Sequence, residues 1–115
     1  MISRSCRFLA AAGLISAAAC LPTLAAPPDL TVTVHKGGFA TVNSYIISNG
    51  RTLTVIDVQR KDHEAQKLAD LVRSMGLPHS QVFITHGHTD HFTGMHVFRD
   101  QFPKARILVA NEAIR

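Results

Sequence analysis

The chain has 115 residues, 46% of them apolar and 17% charged. That composition excludes a disordered chain and leaves room for one domain or part of one. The formal charge of +4 comes from scattered Lys and Arg. The longest basic run, Arg60-Lys61, is too short for a polybasic arm, so nucleic acid is not an expected partner. Histidine is the residue in excess, with seven copies.

Residues 1–25 read as a secretory signal peptide. Arg4 and Arg7 form a positive start, Phe8 to Leu21 is apolar, and Thr23-Leu24-Ala25 places small residues at a cleavage site. The 14-residue apolar run falls short of the roughly 20 residues that span a bilayer. The expected location is therefore secreted or periplasmic, with membrane contact only through this segment. Both cysteines, Cys6 and Cys20, lie within it, so no disulfide and no thiolate ligand is expected after cleavage. Losing Arg4 and Arg7 also lowers the formal charge from +4 to +2.

Residues 26–29 form a Pro-rich leader, and the domain is expected over 30–115. Leu30 to His35 alternates apolar and polar, the pattern of a strand with one buried face. Gly37-Gly38 breaks it. Val42 to Ser48 is a second, β-branched strand. Asn49-Gly50 signals a tight hairpin, since both residues tolerate positive φ. Thr52 to Val58 returns as the third strand. The period then changes: Ala65, Leu68, Ala69, Val72 and Met75 form a helical stripe. Asp62 is the predicted N-cap, Gly76 the residue past the helix end, and Pro78 the stop. Gln81 to Thr85 reads as a strand buried on both faces. Phe92 to Phe102 is predicted as one helix and Ala105 to Ala110 as another buried strand. Asn111 suits the cap of a further helix. The class is α/β, with helices packed on a sheet.

Residues 85–91 read Thr-His-Gly-His-Thr-Asp-His, directly after a predicted strand and before a helix. On extended backbone His86 and His88 project to the same side, and Gly87 lets the loop turn. Asp90 and His91 fall where the next helix begins. Imidazole and carboxylate donors suit zinc and, less selectively, iron or manganese. Such a pattern arises by chance in roughly one chain of this composition per thousand. The metal-ligand candidates are thus His86, His88, Asp90 and His91.

The segment Thr85 to His91, with Gly94 after it, resembles the signature of the metallo-β-lactamase-like hydrolases. The Asn43-Ser44-Tyr45-Ile46 strand, the strand ending in Asp57 and the Phe102-Pro103-x-Ala105 turn are similar to that superfamily too. The resemblance implies the N-terminal half of an αββα sandwich, incomplete at the C-terminus. It implies that His86 and His88 bind a first metal and Asp90 and His91 a second, one or two zinc ions in a complete site. Water acidified by the metals would attack an ester, amide or thioester carbonyl of a small-molecule substrate, lactam or lactone included. Asp90 would be the catalytic residue that orients that water and passes on its proton. The later ligands of such a site have no match here. Two function classes therefore stay open: a metallo-hydrolase, and a metal-binding half-domain or fragment without turnover. A dimer or a complementing C-terminal half is the corresponding partner.

Asp57 has two readings, a brace behind the metal loop or a helix or turn cap. His35, His63, His79 and His96 lack ligand spacing and are expected at the surface or in turns. Thr85 and Thr89 can hydrogen-bond the loop, but no base is spaced to make either a nucleophile. Gly37-Gly38-Phe39 is either a loop over the substrate, as the resemblance implies, or an ordinary turn with a core Phe.

Overall fold

The computed structural model describes residues 29–111. The signal-peptide expectation and most of the helix expected after Asn111 lie outside them. Among the described residues, no helix is long and apolar enough to cross a membrane.

Five strands form one sheet in chain order. They are β1 (Thr31–Lys36), β2 (Asn43–Ser48), β3 (Leu53–Ile56), β4 (His79–Ile84) and β5 (Arg106–Val109). The first three are an antiparallel meander, and β4 and β5 join it in parallel. Each parallel step needs a helical crossover. Helix α1 (Asp62–Ser74) links β3 to β4, and α2 (Thr89–Phe92) and α3 (Met95–Gln101) link β4 to β5.

The apolar residues that alternate in β1, Val32 and Val34, lie on the uncovered face, so the buried apolar face expected of that strand does not form; β2 to β4 set the covered face. Ile46, Val55 and Val82 are register partners across β2, β3 and β4, and all three are buried. The stripe Leu68, Ala69 and Val72 of α1 joins them, as does Phe98 of α3, in one core. The other face carries the row Val34–Tyr45–Ile56–Phe83–Leu108. Its β1 and β2 members stand open, with Val34 47% and Tyr45 38% exposed. One helix layer on one sheet is half of a four-layer sandwich.

The local expectations hold in part. The hairpin forms at Asn49-Gly50, and of the two residues that tolerate positive φ only Gly50 takes it, at +76°. Asn49 instead makes the turn with its side chain, whose Oδ1 accepts from the amides of Arg51 and Thr52. As expected, β1 ends at Lys36, directly before Gly37-Gly38, and the Gly37 amide makes one more bond, to the Val42 carbonyl. The turn falls at Ala40-Thr41, both in the left-handed region. Phe39 is not a core residue: Arg60 and Lys61 lie over its ring at 4.8 and 5.2 Å. Lys61 rather than Asp62 is the N-cap, and Asp62 and Glu64 occupy the first turn, where carboxylates favour the helix dipole. Of the helix predicted from Phe92 to Phe102, only Met95–Gln101 forms, as α3; Phe92 instead ends the short α2, and Thr93-Gly94 separates the two. Finally, β5 is not a buried strand. It is the sheet edge, with Ile107 43% and Val109 41% exposed.

Candidate metal centre

The site sits where β3 and β4 end. Asp57 leaves β3 with φ +57°, a conformation that Asp adopts more readily than most residues. Its own amide bonds the Phe83 carbonyl, so the turn starts in register with β4. The next two residues carry the motif loop on their backbones. The Val58 amide donates to the His91 carbonyl at 2.8 Å, and the Gln59 carbonyl accepts from the Gly94 amide at 2.9 Å. Gln59 also has positive φ, +74°, and is buried. Its side-chain amide donates to the Val42 carbonyl and to Ser44 Oγ, which anchors the turn to β2. Left-handed conformations at non-glycine residues are strained and persist only where surrounding bonds over-determine them.

Positive φ at Asp57 accompanies a carboxylate that reaches across to the motif. Asp57 Oδ1 accepts from the Thr85 amide at 2.9 Å. Asp57 Oδ2 accepts from the Thr85 hydroxyl at 2.8 Å and pairs with His91 Nδ1 at 2.7 Å. Of the two readings of Asp57, the structure therefore supports the brace. Thr85 Oγ1 in turn lies 2.8 Å from His86 Nδ1.

The motif imidazoles gather in front of this brace. The ring of His86 is 4.0 Å from that of His91 and 4.6 Å from that of His88, centroid to centroid. Asp90 Oδ2 lies 3.9 Å from His91 Nε2. Among the described residues, no three His, Cys, Asp or Glu side chains already stand as a metal-binding cluster. The structure thus brings three rings and one carboxylate to one loop without a finished coordination geometry. The donor chemistry and the braced Nδ1 atoms fit a zinc-type ion. An apolar depression of about 190 Å³ adjoins Gly87, lined by Ile84, Phe92, Met95, Ile107 and Val109. A larger hollow lies toward the far end of α3, around Phe102 and Pro103, away from the motif imidazoles.

Two of the other histidines are not the surface residues expected. His79 opens β4 and packs edge-on against Phe102 at 4.7 Å and Phe98 at 5.7 Å. Burial pushes its pKa below the ordinary value, and the Gln81 carbonyl at 2.9 Å only partly offsets this. His35 is nearly buried, with Nε2 3.7 Å from the Glu64 carboxylate. Glu64 also receives Lys67 Nζ at 3.2 Å and His63 Nε2 at 3.1 Å. Burial alone would raise the Glu64 pKa; Lys67, followed by His63 and His35, outweighs it and holds the carboxyl below its usual value. His63 and His96 are exposed, as expected. Gln59 was not legible as a site residue, because nothing in the sequence marks a left-handed glutamine.

The sequence profile of the metallo-beta-lactamase superfamily matches residues 37–114. The chain belongs to that superfamily. Solved structures agree on the fold. The metallo-β-lactamase FIM-1 from Pseudomonas aeruginosa, in a mono-zinc form, is 17% identical with a TM-score of 0.54, over 73% of this chain and 38% of that one. The B3 metallo-β-lactamase BLEG-1 is 21% identical with a TM-score of 0.57, over 66% and 35%. A metallo-β-lactamase from Hirschia baltica is 15% identical with a TM-score of 0.54, over 73% and 39%. This superfamily member therefore has the N-terminal part of the metallo-β-lactamase fold, and it spans less than two fifths of each of these structures. No curated protein sequence matches it.

Proposed function

We propose that the protein is a metal-dependent hydrolase acting on an ester, amide or thioester carbonyl, a lactam or lactone among them. The observation that carries this reading is the Asp57 carboxylate, which ties Thr85 and His91 together behind three clustered imidazoles. A histidine that donates its Nδ1 proton to a carboxylate keeps Nε2 as a ligand and gains basicity. His86, His88, Asp90 and His91 would hold the metal. Zinc is the ion favoured by the imidazole-carboxylate set, and the mono-zinc state of FIM-1 supports the choice. A zinc ion held there would supply Lewis acidity. Asp90 would orient the attacking water and take up its proton. The reading includes export, with the signal segment removed near Ala26.

Chelator-competition titration of the full chain with zinc tests the ligand set. H86A/H88A should abolish binding, and binding unchanged in that variant would remove the motif from the account. Turnover of lactam, lactone and thioester panels tests the chemistry. It should be chelator-sensitive and fall by orders of magnitude in D90N. Turnover indifferent to both treatments would overturn the hydrolase reading.

A further inference from the structure

One carboxylate touches two of the motif histidines by different routes. Asp57 meets His91 directly, Oδ2 to Nδ1 at 2.7 Å. It meets His86 through a hydroxyl: Asp57 Oδ2 to Thr85 Oγ1 at 2.8 Å, then Thr85 Oγ1 to His86 Nδ1 at 2.8 Å. A carboxylate only accepts hydrogen bonds, so the nitrogen against Asp57 must carry a proton. The Thr85 hydroxyl has one proton to give. Giving it to His86 would leave two bare oxygens facing each other at 2.8 Å, so it goes to Asp57. The hydroxyl lone pair then faces His86 Nδ1, which must also carry a proton. Both imidazoles are left with the lone pair on Nε2.

We propose that Asp57, directly and through the Thr85 hydroxyl, locks His91 and His86 together in the Nδ1–H tautomer, with Thr85 as a positioning residue that relays the choice to His86. The purpose rests on the metal-ligand reading above; the tautomers themselves do not. Free imidazole favours the opposite tautomer, Nε2–H. Without the relay, His86 would have to move its proton before offering Nε2 to a metal. The exposed His63 is an internal contrast, because its Nε2 is the nitrogen that faces a carboxylate, 3.1 Å from Glu64.

The test is a long-range ¹H–¹⁵N correlation spectrum of the metal-free full chain, at a pH where imidazoles are neutral. His86 and His91 should both show protonated Nδ1 and bare Nε2, whereas His63 should show the reverse. T85V should return His86 toward the Nε2–H pattern and leave His91 unchanged. T85S, which keeps the hydroxyl, should retain the wild-type pattern. In zinc competition T85V should bind on the order of 10–100-fold more weakly, the loss usual for such outer contacts, with T85S near wild type. A wild-type His86 that is mainly Nε2–H would overturn the proposal, even if T85V cannot be purified. So would a His86 pattern that T85V does not alter. Correct tautomers in a chain that binds no zinc would leave the relay standing and sink the metal reading instead.

Discussion

Gly94 lies so close to Ala65 that a Cβ at position 94 would stand 2.6 Å from the Ala65 Cβ. The carbonyls of Val58 and Gln59 would be only 2.7 and 3.0 Å away. Backbone carbonyls cannot rotate aside, so the turn between α2 and α3 needs a residue without a side chain. G94A should destabilise the domain by about 1–3 kcal/mol, the range for overpacking a dense interior. The shift would read as a fall in Tm of roughly 4–8 °C per kcal/mol for a domain of this size. Thermal unfolding checks this, and an unchanged Tm would mean that the turn relaxes without cost. Zinc binding should weaken in parallel, because the Gly94 amide is part of the seam that carries His91.

That seam also marks how much could be read from the residues alone. The stripe from Ala65 to Val72 reports which atoms leave water and is buried as predicted, whereas the alternation of Leu30 to His35 marked β1 but not its buried face, since Leu30, Val32 and Val34 stay exposed. The candidate donors His86, His88, Asp90 and His91 stood out by their spacing, and the structure gathers their side chains at one loop. Of the parts that hold them, the Asp57 carboxylate was one of two readings of that residue, but the left-handed backbone beneath the loop was not legible. Positive φ at Asp57 and Gln59 arises from bonds to residues 83, 91 and 94, which no local pattern encodes. The late start of the helix predicted from Phe92 goes with the Gly94 amide, which bonds the distant Gln59 carbonyl. His79 looked like a surface residue because its partners, Phe98 and Phe102, are distant in sequence.

His79 makes stability depend on pH. Its folded pKa lies below the unfolded value of about 6.5, because burial disfavours the charged ring. As pH falls through 6.5 the unfolded chain takes up a proton that the folded chain refuses. Stability therefore drops with falling pH from about 7 downward, toward the folded pKa. Glu64 acts in a separate window: its lowered pKa gives stability that is present above 4.5 and lost below it. Urea midpoints at pH 7.5 and 5.5 should thus fall in the wild type and fall less in H79F, which keeps an aromatic edge but cannot titrate. Equal falls in both proteins would remove His79 from the pH response.

The sheet face opposite the helices predicts self-association. Val32, Val34 and Tyr45 are 58%, 47% and 38% exposed on that one face. Contiguous apolar patches beyond a few hundred Å² mark interfaces or aggregation sites. Among the described residues, β1 is also an edge strand of the sheet beside them. Sedimentation of the full chain should show concentration-dependent association, and V34K/Y45K should reduce it while leaving the helix-side core intact. A monodisperse monomer over the whole concentration range would show that this face is already covered.

Asp57 is the residue on which stability and metal binding should separate most clearly. Its carboxylate accepts from the Thr85 amide, the Thr85 hydroxyl and His91. D57A leaves all three donors without that acceptor in a half-buried pocket, at about 1–3 kcal/mol for each group that water does not reach. It should fold poorly. D57N is the sharper test, because Asn also tolerates the left-handed backbone that position 57 adopts. The amide keeps one acceptor oxygen and turns the other into a donor, which faces the Thr85 hydroxyl and His91 Nδ1 in conflict. D57N should therefore stay folded but bind zinc about 10–100-fold more weakly by chelator competition. H63A, at an exposed histidine outside the loop, should leave zinc affinity unchanged. Full zinc affinity in a folded D57N protein would mean that the motif holds its ligands without the brace, and that the bond between Asp57 and His91 serves the fold alone.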